Sequence, residues 1–500
     1  MNAPLRRAGV VVMLLFGLLF ANLNWIQVYK ADEYRTSPYN ERVQVAEYER
    51  QRGNIEAGGT PLATSKETRG ELKYLRTYPK GELYAHVLGY KPVNLAATGI
   101  ESSENDFLAG TSDQLFVDRF RDMFTGSQTA GANVLLTLSQ RAQKTAFDEL
   151  ANNRVGADKG AAVALDPRTG AIQALVSMPS FDPNPLASHD TEAAQAAYDK
   201  LAKGKDGPLR NRALGEVLPP GSTFKVIGAA AALENGIGKD TMIPAGPVYR
   251  PPTSGTDIRN AAPRICPEDE VTLINALTES CNTGFAKLGV RLGSATIKEK
   301  ARQFGFEQED LTCGRLDGGG LPVDASRTGD MQNPDGSEDQ AGLAQSAIGQ
   351  KDVRMTPLQG AMIAAAVANG GTQMRPYLVH KVLGADRTTT YYTADPQALR
   401  RSVSPQVAAD LQSMMVSVVE HGTGARARIN GYTVGGKTGT AQAGEATQDH
   451  GWFIGFVMKD GQAISAVAVL LESAGPGGSG EAARIAGQIM RAVVAETGGK

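Results

Sequence analysis

The run Leu218-Pro219-Pro220-Gly221-Ser222-Thr223-Phe224-Lys225-Val226-Ile227-Gly228-Ala229-Ala230-Ala231-Ala232-Leu233 joins a loop terminator to a strong helix former. Pro-Pro-Gly closes the preceding loop, and the Ala-rich run propagates a helix, which places Ser222 at a helix N-terminus. There the free N–H groups and the helix dipole favour developing negative charge. Lys225, three residues on, shares a helix face with Ser222, so its amine can reach the hydroxyl. A serine needs such activation, and a lysine of lowered pKa can supply it. Alone the motif is weak, because an N-cap serine followed by a solvated lysine reads the same, and about one Ser-x-x-Lys is expected by chance at this length.

Two further motifs lie downstream. Ser280-Cys281-Asn282 precedes the helical-looking Thr283-Gly284-Phe285-Ala286-Lys287-Leu288. In extended or turning backbone residues 280 and 282 project the same way, so one can relay a proton while the other holds a peptide carbonyl. A helix N-cap gives the same letters, and Ser103-Glu104-Asn105 shows how easily they arise. Lys437-Thr438-Gly439-Thr440 follows Tyr432-Thr433-Val434-Gly435-Gly436, which predicts a strand with no bulky side chain at its edge. A peptide could add there by main-chain pairing, with Lys437 and the threonine hydroxyls meeting a carboxylate. A surface hairpin with an exposed lysine is the alternative for Lys-Thr-Gly alone. In this order and at domain-scale spacing, the three form a recognised serine-acylation signature.

The bulk of the sequence excludes other chemistries. A hydrophobic fraction of 41% with 21% charged residues is ordinary for a globular protein, and 500 residues suffice for two or three cores. With 51 basic and 53 acidic residues the net charge is −2, which offers no footprint for nucleic acid. Cys266, Cys281 and Cys313 lack zinc-site spacing, and the five histidines are scattered. No GxxxxGK[ST] loop occurs, so no metal and no nucleotide cofactor is expected.

At the N-terminus Arg6 and Arg7 precede an apolar run from Ala8 to Leu23, extended by Trp25, Ile26, Val28 and Tyr29. A spanning helix needs about 20 apolar residues, and positive charge before it predicts the N-terminus inside. A cleaved signal peptide is the alternative, but Phe20-Ala21-Asn22-Leu23-Asn24-Trp25 fits a small-residue cleavage site poorly. Either way the bulk of the chain is exported. The expected division is residues 1–30 as cytoplasmic tail and anchor, 31–155 as a separate module, and 156–500 as the catalytic domain.

The middle module alternates polar stretches (Glu41 to Arg52, Ser65 to Lys80) with short apolar pieces. Asn133 to Leu138 reads as a strand, after which Ser139 caps a helix. Ala161 to Leu165 and Ala171 to Ser177 read as two strands of a hairpin around Asp166-Pro167-Arg168-Thr169-Gly170. Helical runs (Val226 to Glu234, Gln359 to Asn369, Glu481 to Glu496) and apolar strands (Phe453 to Met458, Ala463 to Leu471) complete an α+β pattern, a sheet covered by helices.

At this point the chain resembles the class B penicillin-binding proteins, most closely their actinobacterial penicillin-binding protein A type, over almost its full length. Upstream, Arg52-Gly53-Asn54-Ile55, Pro61-Leu62-Ala63, Tyr78-Pro79, Ala85-His86-Val87-Leu88-Gly89-Tyr90 and Gly99-Ile100-Glu101 look like the family's entry to its elongated pedestal. Then come Pro179-Ser180-Phe181-Asp182-Pro183-Asn184, Pro220-Gly221-Ser222-Thr223-Phe224-Lys225, Ile348-Gly349-Gln350 and Thr356-Pro357-Leu358-Gln359. Gly422-Thr423-Gly424, Gly436-Lys437-Thr438-Gly439-Thr440-Ala441-Gln442 and Trp452-Phe453-Ile454-Gly455 follow. One departure is Glu56-Ala57, where the family often continues with Asp-Arg-Asn-Gly.

The resemblance implies a membrane anchor, a dimerisation-like pedestal, and a transpeptidase domain with an antiparallel sheet and helices on both faces. It implies acyl transfer in peptidoglycan cross-linking, inhibited by β-lactams. Ser222 would attack the D-Ala-D-Ala stem peptide and Lys225 would take its proton. Ser280 and Lys437 would pass a proton to the leaving amine, and Asn282 would orient the stem peptide. Thr438 and Thr440, beside Gly439, would hold its carboxylate, and the Ser222 and Thr440 N–H groups would form the oxyanion hole. Implied partners are stem peptides, β-lactams, the membrane, and a membrane glycan polymerase with other cell-wall or division proteins. The rivals are a carboxypeptidase or β-lactamase using water, a β-lactam sensor, or a chiefly recruiting protein. Only about seven residues precede the apolar segment, which leaves no room for a sensor's signalling domain. Cys266 and Cys281 flank the second motif in the exported part, which predicts a disulfide there and a free Cys313, against three reduced thiols.

Overall fold

The computed structural model describes residues 2–31, 34, 47–70, 72–115, 130–204, 206–442 and 448–497, so residues 41–46 and 71 of the polar stretches lie outside it. Helix α1 (Asn2–Asn24) continues through one π turn, Trp25–Tyr29. The apolar span Arg6–Tyr29, 24 residues with no part buried among the described residues, fits a membrane anchor.

Next come β1 (Ile55–Ala57), β2 (Thr60–Glu67), β3 (Tyr74–Thr77) and β4 (Asn133–Leu136). Ser139 caps α2 (Gln140–Ala151) as expected, its Oγ accepting from Ala142 N–H at 3.0 Å. β5 (Gly160–Leu165) and β6 (Ile172–Met178) form the expected hairpin, with Gly170 at φ +83°. Helices α3 (Lys225–Glu234), α4 (Leu273–Thr278), α5 (Asn282–Leu292) and α6 (Pro357–Ala368) follow. Then come β7 (Val379–Leu383), β8 (Thr390–Thr393) and α7 (Pro405–Glu420). The chain closes with β9 (Thr433–Ala441), β10 (His450–Lys459), β11 (Gln462–Leu471) and α8 (Gly478–Thr497).

The catalytic half is built on a five-stranded, fully antiparallel sheet in the order β9-β10-β11-β5-β6. Strands β5, β10 and β11 are largely apolar because both faces of the sheet are covered there. On β11, Ala466, Ala468 and Leu470 enter the core shared with α6, whereas Val467, Val469 and Leu471 enter the one shared with α2 and α8. β5 divides the same way, Ala161 and Val163 against Ala162 and Ala164. Helix α6 is buried on every side, which accounts for its unbroken apolar composition.

A second sheet runs β8-β7-β4-β1-β2-β3, so it takes its strands from both sides of residue 155. β1 lies antiparallel to β2 but parallel to β4 (Ile55 opposite Val134), and β7 pairs antiparallel with β4. Arg387 binds Glu56 with both terminal nitrogens, at 2.7 and 2.8 Å, which ties the β7–β8 turn to β1. Beneath this sheet Glu101, on the short helix Gly99–Ser103, is fully buried between two arginines. Arg52 Nε reaches it at 2.7 Å and Arg76 Nε at 2.6 Å.

Candidate active site

Ser222 lies in a 3₁₀ turn, Gly221–Phe224, that runs directly into α3, so the helix begins at Lys225 rather than at Val226. Gly221 has φ +53°, and a Cβ there would stand 2.3 Å from the Thr440 carbonyl oxygen. Gly349 approaches from the other side, its amide carbonyl accepting from Gly221 N–H at 3.0 Å, and a Cβ on it would meet Gly221 O at 2.0 Å. Only glycine fits this turn, which is wedged between β9 and the Ile348–Gln350 segment.

The other two motifs converge on a pair of fully buried lysines. Lys225 Nζ donates to Ser280 O at 2.8 Å and to Asn282 Oδ1 at 2.7 Å, with Ser280 Oγ at 3.3 Å. Lys437 Nζ donates to the same Ser280 Oγ at 2.9 Å and to Thr438 O at 2.9 Å. The Lys225 amine thus points at the second motif, while the half-exposed Ser222 hydroxyl makes no hydrogen bond among the described residues. Burial first, and then the neighbouring Lys437 charge, push the Lys225 amine well below the ordinary lysine value. Burial lowers Lys437 to about 7. Two buried ammonium groups flanking one hydroxyl repel each other, so a neutral amine is favoured. A neutral amine carries two N–H donors; with Ser280 O and Asn282 Oδ1 taking both, the lone pair is left for a hydroxyl donor, and Ser280 Oγ stands 3.3 Å away.

Ser280 holds φ +65°, an uncommon conformation for a residue with a side chain, in the turn between α4 and α5. Neighbouring bonds determine it: Cys281 N–H donates to Ala276 O at 2.8 Å, and Asn282 N–H to Asn260 Oδ1 at 2.8 Å. Cys266 and Cys281 are paired, with Cα atoms 6.1 Å apart. Cys313 is buried as a free thiol, and burial pushes its pKa up to about 12. Peptide mapping of the unreduced protein is expected to return a linked Cys266–Cys281 pair with Cys313 alkylated only after denaturation; a free Cys281 peptide would refute the pairing.

The third motif lies on β9, the edge strand of the sheet. A strand residue's N–H and C=O point to the same side. The Thr440 carbonyl faces Gly221 and accepts from Gln350 Nε2 at 3.4 Å, so the Thr440 N–H also turns away from β10, towards Ser222. Thr438 Oγ1 shares a hydrogen bond of 2.5 Å with Thr423 Oγ1. The arrangement sets a half-exposed hydroxyl, a fully buried amine of lowered pKa and a second buried amine hydrogen-bonded to Ser280 Oγ beside the edge strand of the sheet.

Comparison with known proteins agrees with this geometry. The penicillin binding protein transpeptidase domain matches residues 160–491, and the penicillin binding protein A dimerisation domain matches residues 52–134. The chain belongs to the penicillin-binding protein transpeptidase family. Peptidoglycan D,D-transpeptidase PbpA of Mycolicibacterium smegmatis is 42% identical over 99% of both chains. Its namesake in Mycobacterium tuberculosis is 42% identical over 99% of this chain and 98% of its own. The structure of penicillin-binding protein A from M. tuberculosis as a ceftriaxone acyl-enzyme superposes with a TM-score of 0.83 at 40% identity, covering 90% of this chain and all of that one.

For this penicillin-binding protein, sequence reasoning named Ser222, Lys225, Ser280, Asn282, Lys437, Thr438, Gly439 and Thr440, and the structure gathers them in one place. It missed Asn260, whose Oδ1 accepts from the Asn282 and Thr283 N–H groups while its Nδ2 donates to Gly246 O and Ile265 O. A single loop asparagine carries no sequence signal. It also gave no role to Gln350 and Thr423, although both stand in segments the resemblance had picked out.

Proposed function

We propose that this chain is a membrane-anchored peptidoglycan D,D-transpeptidase, a serine acyltransferase that β-lactams inhibit covalently. The observation that carries the residue roles is the fully buried Lys225 amine, pushed well below the ordinary lysine value by burial and the Lys437 charge and held between Ser280 and Asn282 beside the nucleophile turn. Ser222 Oγ attacks the carbonyl of the penultimate residue of a D-Ala-D-Ala stem peptide, and Lys225 takes its proton. The Ser222 and Thr440 N–H groups receive the oxyanion, the contribution usually worth most. Ser280, fed by Lys437, protonates the departing D-alanine nitrogen. Asn282 keeps one amide N–H after donating the other to Arg259 O at 2.9 Å, and that group orients the stem-peptide carbonyl. Thr438 and Thr440 hold the terminal carboxylate, with Gly439 leaving room for it. A free amine from a neighbouring stem peptide then takes the acyl group.

Residues 1–30 serve as tail and anchor with the N-terminus cytoplasmic, 31–155 as the pedestal, and 156–500 as the extracellular catalytic part. The pedestal is the surface for a membrane glycan polymerase and other cell-wall or division proteins. Support comes from the apolar span Arg6–Tyr29 and from the dimerisation-domain match.

Hydrolysis is the rival to transfer. A β-lactamase needs a general base that activates water, often a glutamate after the second motif. Glu307 instead accepts from Thr328 N–H and Oγ1, both at 2.8 Å, and Glu309, Asp310 and Asp317 lie in polar stretches away from the motifs. Penicilloyl-Ser222 is therefore expected to persist for many minutes in water, excluding it favouring transfer to an amine. Mass spectrometry of the penicillin-treated extracellular part tests this. Rapid multiple-turnover release of penicilloic acid would reverse the reading in favour of a β-lactamase.

A further inference from the structure

The transpeptidase reading leaves open where the second substrate lies, and this inference rests on that reading. The incoming amine attacks the carbonyl that the D-alanine nitrogen has just left, and it uses the same Ser280–Lys437 relay in reverse. It must therefore stand where the departing nitrogen stood. Whatever is attached to it extends where the departing residue's carboxylate lay, past Thr438 and Thr423.

Beyond Thr423 the wall is continuous. A Cβ on Gly422 would meet Thr278 O at 2.2 Å, and Thr278 Oγ1 shares a 2.8 Å hydrogen bond with Ser417 Oγ on α7. From this junction an open groove of about 570 Å³ runs along α7, between that helix, α4 and the start of β9. Ser417, Glu420 and His421 form its end nearest Thr423. Half-buried Ile274 and Val416, with Met458, form an apolar floor, and Thr433 closes the far side. Thr433 is five residues before Thr438 on the same strand, roughly 16 Å away at strand spacing.

We infer that this groove receives the acceptor, a peptide carrying a free primary amine, which reaches Ser280 and Lys437 from the α7 side. Charge and floor both suit such an occupant. The Glu420 side chain is 58% exposed at the rim, its neighbour within ion-pair distance being the still more exposed His421 at 3.7 Å. An ammonium-bearing peptide is drawn to that carboxylate, and the apolar floor takes its aliphatic stem. The step balances without a co-reactant: the amine nitrogen forms a bond to the acyl carbon and the Ser222 Oγ–C bond breaks. The amine's proton passes through Ser280 to Lys437, and Lys225 returns to the serine oxygen the proton it took during acylation.

The test uses the purified chain with a thioester donor peptide ending in D-alanine, and two acceptors: a peptide with a side-chain amine, and free D-alanine, which is too small to need the groove. Glu420→Lys and Ser413→Arg, both exposed positions of the groove, are the variants. Each is expected to raise the half-saturating concentration of the peptide acceptor about 5–10-fold, the Glu420→Lys effect shrinking in high salt. Exchange with D-alanine and acylation by fluorescent penicillin should stay at the parent rate. Unchanged use of the peptide acceptor would overturn the inference. So would a parallel fall in D-alanine exchange and penicillin acylation, which would mean that the groove only supports the site. Failure of the parent protein to transfer to either acceptor would strike the transpeptidase reading itself.

Discussion

Lys225→Arg is expected to be nearly as inert towards fluorescent penicillin as Ser222→Ala, which removes the nucleophile and should give no label. General-base assistance is worth about 10²–10⁴-fold, and arginine keeps the charge but does not give up its proton in proteins. The base must be neutral at the working pH. A lysine at its ordinary value is only about 0.1% neutral near pH 7.4, so lowering its pKa raises the competent fraction by up to about 10³. Burial and the Lys437 charge provide that lowering here. The acylation rate of the parent protein should therefore fall as pH drops and Lys225 takes up a proton, well below the ordinary lysine range, with the Lys437 charge, which titrates near 7, shaping the profile. Arginine is also larger than the fully buried lysine it replaces, and overpacking costs about 1–3 kcal/mol. Lys225→Met, which fits the space without a proton-accepting group, keeps the test clean: both variants should melt as folded proteins and label at less than about 1% of the parent rate. Near-normal labelling by Lys225→Arg would mean that Lys225 acts only as a fixed charge.

The chemistry was legible in the sequence because each motif announces itself locally. Ser222 has its glycine and its helix, Lys437 has its small-residue strand, and the hairpin around Asp166–Gly170 has its proline and glycine. Strand partners were not legible. Asn133 to Leu138 reads as a strand, but Val379–Leu383 was not singled out, and nothing in it says that it crosses more than two hundred residues to pair with Asn133–Leu136. The parallel register of β1 on β4 is equally silent. The direction of the Lys225 amine was missed in part for a related reason. Helix spacing placed it on the Ser222 face, but the turn at Ser280, with its positive φ, decides what it touches. The upstream segments Arg52-Gly53 and Gly99-Ile100-Glu101 were recognisable as a pattern, whereas their purpose appears only when the fold brings Arg52, Arg76 and Glu101 together.

That buried triad gives the largest expected stability effect. Glu101 is completely buried, each carboxylate oxygen taken by a different arginine, and Arg52 Nη1 adds a 2.8 Å bond to Asn105 Oδ1 while Arg76 Nη1 donates to Gly53 O at 2.8 Å. Glu101→Ala would leave Arg76 buried without a counter-ion and Arg52 with only Glu47, at 3.2 Å, and breaking a buried ion pair in this way costs about 3–5 kcal/mol. At about 2–4 °C per kcal/mol, the pedestal's melting transition should fall by roughly 6–20 °C. The same triad sets a pH dependence. Burial raises the Glu101 carboxyl's pKa, but the Arg76 and Arg52 charges and hydrogen bonds more than offset it, so the group stays below its ordinary value. A carboxyl held below its unfolded value stabilises the fold fully above that value, and the contribution fades as pH falls through the folded one. The parent pedestal should therefore lose stability below about pH 4, where an unfolded glutamate protonates. Glu101→Ala, already without the carboxylate, should lose less over the same range, so the gap between the two melting curves narrows in acid. Calorimetry of both proteins from pH 7 to pH 3 reads the two effects together. A shift under about 2 °C at neutral pH, or a gap that widens as pH falls, would show that the triad is not what holds the pedestal together.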